Sequence, residues 1–167
     1  MFGNKNALLH NLSHYCNFKQ TEVDKILPLT YHLKKDQPES MAEFEQVFLE
    51  RKKKGTVWVV KPAENSNRGR GIECTASLYH IRTALAQHKK IIVQMYIKNL
   101  LLYNGRKFDI RTFMIALTVK GRLKFYWYEE GYIRTSSELF DISCLDDRIV
   151  HLTNDAIQKK GDSYGKY

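Results

Sequence analysis

Three cysteines, three prolines and nine glycines are all that 167 residues contain. Cys16, Cys74 and Cys144 are odd in number, widely spaced, and make neither a CxxC pair nor a zinc-ligand pattern. That excludes a disulfide framework and a structural zinc module, and fits free thiols in a reducing, cytosolic compartment. So little proline and glycine leaves no low-complexity linker. Long apolar runs are missing as well. Val57-Trp58-Val59-Val60 and Leu100-Leu101-Leu102-Tyr103 are far too short to span a bilayer. The start, MFGNKNALLH, lacks an apolar stretch behind basic residues and does not read as a secretory signal.

What is present is ordinary globular material. Hydrophobic residues make up 43% and charged residues 27%, enough to bury a core, and the length is that of one domain. The formal net charge is +9. A charge of that size draws polyanions and says little about fold. Nucleic acid, anionic lipid, a nucleotide and an acidic protein tail all fit it.

The pattern along the chain alternates between helical and extended periods. Leu8, Leu12 and Tyr15 recur at helix spacing. Ser40-Met41-Ala42-Glu43 has the form of a capping box, preceded by Pro38 and followed by Phe44, Val47 and Phe48. Lys52-Lys53-Lys54-Gly55 ends that helix as a solvated basic run or a binding patch. Val57 to Val60 is a strand closed by Lys61-Pro62, and Ala63 to Gly71 a polar loop. A helix is expected from Ser77, with Leu78, Ile81 and Leu85 on one face. Strands are expected over 91–97, 108–119 and 123–128, the last two joined at Gly121 as an antiparallel hairpin. Thr153 is placed as the N-cap of a final short helix. The sum is an α+β fold, helices early and a mainly antiparallel sheet later.

Five segments carry chemistry. Lys61 stands at a strand end before a loop holding Arg68, Gly69, Arg70 and Gly71. Glycines let main-chain N–H groups approach phosphate oxygens, and the cations fix them; a basic surface hairpin with turn glycines fits equally. In Gly105-Arg106-Lys107-Phe108-Asp109-Ile110-Arg111 alternation puts Lys107, Asp109 and Arg111 on one strand face. Phe108, Ile110 and Met114 fall on the other, which should pack on a core. The charged face suits an anionic nucleotide, or is a solvated face of cross-strand pairs. Gln94-Met95-Tyr96-Ile97 offers an amide and main-chain groups for a purine, or is an ordinary buried strand end. In Glu129-Glu130-Gly131-Tyr132-Ile133-Arg134 the acidic pair reads as a solvated turn that aims Arg134 at a site. His151-Leu152-Thr153-Asn154 at a helix start suits ribose or phosphate, or a plain cap.

In order, the blocks WVVKP, NRGRGI, VQxYIxNxLL, GRKFDIR, EEGYIRTS and HLTN resemble the successive blocks of the tubulin tyrosine ligase-like family, from about Trp58 to Lys160. The likeness continues more faintly through Asn4 to Leu8 and Ile26 to Tyr31. The resemblance implies an ATP-grasp enzyme, which pinches ATP between two α+β lobes. Such an enzyme phosphorylates a protein carboxylate and joins an amine to it as an amide. It implies a partial domain over 1–167, with a helical lead-in to about residue 55 and a nucleotide-binding core over 56–167. By the same resemblance, Lys61, Gly69, Arg70 and Gly71 hold phosphates, and Gln94, Met95 and Ile97 frame adenine. Lys107, Asp109, Thr153 and Asn154 contact nucleotide, Arg111 and Arg134 stabilise the developing charge as catalytic residues, and Lys5 matches an upstream phosphate-binding lysine.

The resemblance further implies tubulin, or another protein with acidic tails, as partner, and free glutamate or glycine as the amine. It implies a cytoplasmic, cytoskeletal or ciliary location and no membrane. The family's magnesium ligands, an acidic residue on a strand and a Glu-x-Asn pair, have no counterpart before Tyr167. The second lobe is therefore expected to be incomplete, and these residues alone to ligate at negligible rate. A catalytically inactive module that binds ATP or acidic tails is the alternative reading. A nucleic-acid binder lacks any RNP or helix-turn-helix pattern.

Overall fold

A computed structural model describes residues 5–63 and 67–166 of the chain. It divides into two compact units, residues 1–100 with 142–146, and residues 101–141 with 147–167. Glu64, Asn65 and Ser66 of the phosphate-loop segment, and Asn4 of the lead-in, lie outside the described residues. The result is a mixed α/β chain whose strands all pair antiparallel.

The first unit opens with α1 (Lys5–Phe18), followed by β1 (Thr30–Lys34), α2 (Pro38–Lys52) and β2 (Trp58–Pro62). Then come β3 (Glu73–Thr75), α3 (Leu78–Gln87) and β4 (Lys90–Met95). The expected helical lead-in is thus interrupted by a strand. Its sequence, Thr-Tyr-His-Leu-Lys, alternates with period two, and Leu33 is fully buried. The capping box is also displaced. Pro38, whose fixed φ suits the first helical position, starts α2 early with Gln37 as N-cap. Ser40 then falls inside the first turn, where its hydroxyl donates to the Gln37 carbonyl (2.6 Å) and accepts from the Lys34 amide. Helix α3 begins as its pattern predicts, Ser77 being the N-cap and Ile81 fully buried.

The sheet runs β1-β4-β2-β3. β4 sits between two partners, with Gln94 opposite Thr30 on one side and Val59 on the other. Alternation sends Trp58, Val60, Val93, Ile91, Tyr31 and Leu33 to one face, where Phe44 and Phe48 of α2 and Ile81 of α3 close the core. Trp58 is its centre: Phe44 meets it edge-on at 5.0 Å and Phe48 stacks at 6.4 Å. Pro62 can end β2 because β3 pairs only as far as Val60, so no neighbour on that side calls for its missing N–H.

The second unit is built on a long ribbon of β5 (Phe108–Val119) and β6 (Arg122–Thr135), turned at Lys120-Gly121, both with positive φ. The hairpin is as expected, but β6 runs seven residues past the expected end at Tyr128. Glu129, Glu130 and Gly131, read as a turn, lie within it instead, at a register shift opposite the Arg111–Phe113 stretch. Gly131 is required there, since a Cβ would come within 2.7 Å of the Arg111 carbonyl oxygen. The apolar side expected to meet a core does not do so among the described residues: Ile110 and Met114 are 63% and 55% exposed. A two-stranded ribbon has no second layer of its own to cover either face. Two short helices, α4 (Arg148–His151) and α5 (Asp155–Gln158), complete this unit.

Phe44 is fully buried against Trp58 and Tyr31. Phe44→Ala should therefore cost about 3–5 kcal/mol of unfolding free energy, read from urea denaturation followed by tryptophan fluorescence. A loss below about 1 kcal/mol would mean this core is not assembled as described.

Candidate functional site

The face of the first sheet opposite the core carries a polar row. β4 places Gln94 directly between Thr30 of β1 and Val59 of β2, and Lys61 lies one same-face step along β2. The side chains join up. The Lys61 ammonium donates to Gln94 Oε1 (2.7 Å), Gln94 Nε2 donates to Thr30 Oγ1 (2.8 Å), and the Thr30 hydroxyl donates to the Pro28 carbonyl (2.5 Å). All three residues are half-buried. The row thus presents a cation and a carboxamide, side by side at strand ends. That pairing suits a phosphate-bearing heterocycle.

The neighbouring expected residues are placed less uniformly. The Met95 amide donates to the Leu29 carbonyl (2.8 Å) and its side chain packs against the core cluster, so a base could meet only its carbonyl. Ile97 stands exposed past the end of β4. In the loop, Arg68 and Arg70 are exposed and Gly69 is buried. Arg68, Gly69 and Gly71 all have positive φ. Gly71 has a packing reason for being glycine, because a Cβ would reach 2.7 Å from Pro62 Cγ. Lys5 is the first residue of α1, and partial burial holds its ammonium below the ordinary lysine pKa.

In the second unit, β5–β6 pairing sets Asp109 opposite Arg134. The guanidinium grips the carboxylate with two parallel bonds, Nε to Oδ1 (2.8 Å) and Nη2 to Oδ2 (2.7 Å). Thr153 adds a third, its hydroxyl donating to Asp109 Oδ2 (2.6 Å). That capture is why Thr153 does not cap α5. The N-cap is Asn154, which makes no side-chain cap bond. Partial burial pushes the Asp109 carboxyl up, but the Arg134 fork, the Thr153 hydroxyl and the charges of Arg134 and Arg111 outweigh it. Its pKa is held below the usual value. The same fork, first among its causes, raises that of Arg134.

Arg111, on the face of Asp109, is exposed, its guanidinium 5.5 Å from the Phe113 ring centre. Lys107 is pinned through its main chain: its amide donates to Ser136 Oγ (3.1 Å), and its carbonyl accepts from the Ser136 amide (2.8 Å).

Three residues outside the expected set do much of this positioning. Thr30 orients Gln94, and the period-two pattern of residues 30–34 could have placed it on the right face. Ser136, fully buried, holds Lys107. Gln158 accepts from the amide and hydroxyl of Ser137 and donates to the carbonyls of Ile149 and Leu152. Nothing local to Gln158 in the sequence announces that role.

Magnesium, which the family likeness implies, needs several oxygen ligands. Among the described residues no three His, Cys, Asp or Glu cluster as such a group, and Asp109 turns its oxygens to Arg134 and Thr153. These described residues do not make that site.

The model of the tubulin-tyrosine ligase family matches residues 1–167. The chain is 36% identical over 165 residues to the Homo sapiens protein named probable tubulin polyglutamylase TTLL2, covering 97% of this chain and 26% of that protein. It is 40% identical over 111 residues to tubulin glycylase 3D of Tetrahymena thermophila, covering 66% of this chain and 10% of that protein. To the probable alpha-tubulin polyglutamylase Ttll1 of the same organism it is 34% identical over 122 residues, 65% of this chain and 29% of that one. The chain thus spans between a tenth and three-tenths of these relatives. No helix among the described residues is long and apolar enough to cross a membrane.

A depressed carboxylate pKa stabilises the fold above its unfolded value, about 4, and loses that contribution as pH falls through the lower folded value. Asp109→Asn should therefore lower stability at pH 7 by about 1 kcal/mol, discounted for a carboxylate more than a third exposed. The gap between variant and wild type should shrink toward pH 3. Urea titrations at both pH values measure it; a gap that stays constant would rule out the fork as its source.

Proposed function

The chain belongs to the tubulin-tyrosine ligase family, and from that premise we propose that it carries the nucleotide-binding part of an ATP-dependent ligase of ATP-grasp type. The reaction joins glutamate or glycine to a carboxylate of a protein, with the acidic tail of tubulin as the foremost substrate. The relatives named as tubulin polyglutamylases and a tubulin glycylase support the substrate class, and the +9 charge suits acidic tails. A cytoplasmic place on the cytoskeleton, cilia included, follows from that substrate.

The observation that carries the reading is the Lys61–Gln94 bond at the ends of β2 and β4. A strand-end ammonium takes phosphate oxygens, with Gly69, Arg70 and Gly71 following it in the loop. The carboxamide of Gln94 takes the base, with Met95 and Ile97 beside it in sequence. For Lys107, Asp109, Thr153 and Asn154 of the second unit, nucleotide contact is a proposal of the family likeness alone. Asp109 does its part by organising Arg134 and Thr153.

ATP, as substrate, supplies a phosphoryl group. An oxygen of the acceptor carboxylate attacks the γ-phosphorus and ADP departs. The amine then attacks the acyl carbon, loses its proton and expels phosphate. Arg111 and Arg134 are suited to the oxyanion charge that grows at each step, because fixed cations stabilise such charge without rearranging. Arg134 already shares its guanidinium with Asp109, so Arg111 is the stronger of the two for an incoming anion.

The second reading, a module that binds without turning over, is favoured by the way Asp109 is committed to Arg134 and Thr153. ATP binding with no amino-acid incorporation into tubulin would select it. Titration of the full chain with ATP tests the site itself. Lys61→Ala should weaken ATP binding about tenfold or more, a loss of roughly 1.4 kcal/mol, while Arg111→Ala should leave the affinity within about twofold, or roughly 0.4 kcal/mol. Unchanged affinity in Lys61→Ala would overturn the assignment.

A further inference from the structure

We infer that Thr30 is a specificity-determining residue: by fixing which way the Gln94 carboxamide points, it makes the site select a purine bearing a 6-amino group over one bearing a 6-oxo group. The inference rests on the proposed role of Gln94 at the base.

Hydrogen count fixes the orientation of the amide. A threonine hydroxyl has one hydrogen to give. Here it goes to the Pro28 carbonyl at 2.5 Å. Toward Gln94, Thr30 can then only accept, so the group facing it must be the NH2 end of the amide, as found at 2.8 Å. The opposite end of the same amide faces the Lys61 ammonium, which can only donate, and Oε1 lies 2.7 Å from it. Both neighbours therefore demand the same orientation. Turning the amide over would set NH2 against an ammonium and carbonyl oxygen against a hydroxyl oxygen whose hydrogen is already committed. Donor would meet donor and acceptor would meet acceptor.

An amide oxygen has two lone pairs, and Lys61 takes one. The oxygen held in this orientation is an acceptor for a further donor. A 6-amino purine supplies that donor, whereas a 6-oxo purine brings an acceptor to an acceptor. Sites that recognise a polar group by a fixed partner discriminate strongly against the analogue that reverses it. The position of Thr30 is itself fixed, since β1 pairs with β4 in the register that sets Thr30 opposite Gln94.

Without the hydroxyl, the Thr30 side of the amide has no acceptor to hold the NH2 group. The carboxamide can then tilt or turn, and base preference relaxes. Phosphate binding, which belongs to Lys61 and the loop, does not depend on that contact. Thr30 thus acts through Gln94 and positions it.

The test uses the full chain with three probes: ATP, GTP and inorganic tripolyphosphate. Wild type should prefer ATP to GTP by about tenfold or more. Thr30→Val, nearly the same shape without the hydroxyl, should bring the ratio to within about threefold of unity and leave tripolyphosphate affinity unchanged. Thr30→Ser, which keeps the hydroxyl, should restore the preference. A Thr30→Val protein with the wild-type ratio overturns the inference, as does a parallel loss of tripolyphosphate binding. Should that variant fail to fold, Thr30→Ala removes the same hydroxyl with no added bulk, and the same ratio decides. A wild-type chain that binds neither nucleotide overturns the nucleotide-site reading itself, and this inference with it.

Discussion

The double pairing of β4 is the constraint on which the first unit depends. One strand of six residues is hydrogen-bonded on both sides, and its two registers put Thr30 and Val59 across from the same Gln94. Because side chains alternate, that choice also sends Ile91 and Val93 to the core face with Trp58, Val60 and Leu33. A slip of one residue would carry the apolar set into solvent and the glutamine into the core. The burial of the aromatic cluster therefore holds the polar row in place. The core and the site are opposite faces of one register.

The second unit solves a different problem. At its register-paired positions the ribbon has one face, through Phe108, Ile110, Met114, Phe125, Trp127 and Ile133, that carries no charge. The other face begins with Asp109, Arg111 and Arg134, continues through Phe113, Tyr128 and Tyr132, and ends at Lys124 and Arg122. Charge on that face thus lies at the tip of the ribbon and at its base, and at the base Ser136, Thr153 and Gln158 are buried. Buried polar groups are costly unless satisfied. Gln158 meets that condition by using both ends of its amide, which ties Ser137 to the α4 segment.

Much of this was legible in the sequence, and the residues show why. Leu78, Ile81 and Leu85 recur at helix spacing behind Ser77, and Phe108 to Val119 has strand length and a glycine turn at its end; such patterns are local, and local physics decides them. β1 is missed by the expected helical lead-in: Tyr31 and Leu33 alternate with polar neighbours, but five residues make a weak signal. β3 has only three residues, too few for any period to show. Glu129-Glu130-Gly131 has the composition of a turn, and only the approach of the Arg111 carbonyl, a cross-strand fact, makes it a bulge. The candidate residues are legible as residue types. Their partnerships were not, because the hydroxyl of Thr153 could cap its own helix or serve a carboxylate 44 positions away, and no local rule chooses.

Those partnerships change what the two principal cations can do. The Lys61–Gln94 bond is one to a neutral amide, and it orients the ammonium. Arg134 bonds to a carboxylate through both arms of its fork, and the pair carries little net charge outward. A group meant to bind an anion in the ground state gains from the first arrangement. A group meant to keep one geometry while charge develops nearby gains from the second, because the carboxylate fixes the guanidinium plane and removes the need to reorganise. Arg111, beside that pair and stacked toward Phe113, adds the exposed positive charge that the fork withholds. Lys61, Arg111 and Arg134 are all strand cations, and the neighbours opposite them across the strands separate their roles.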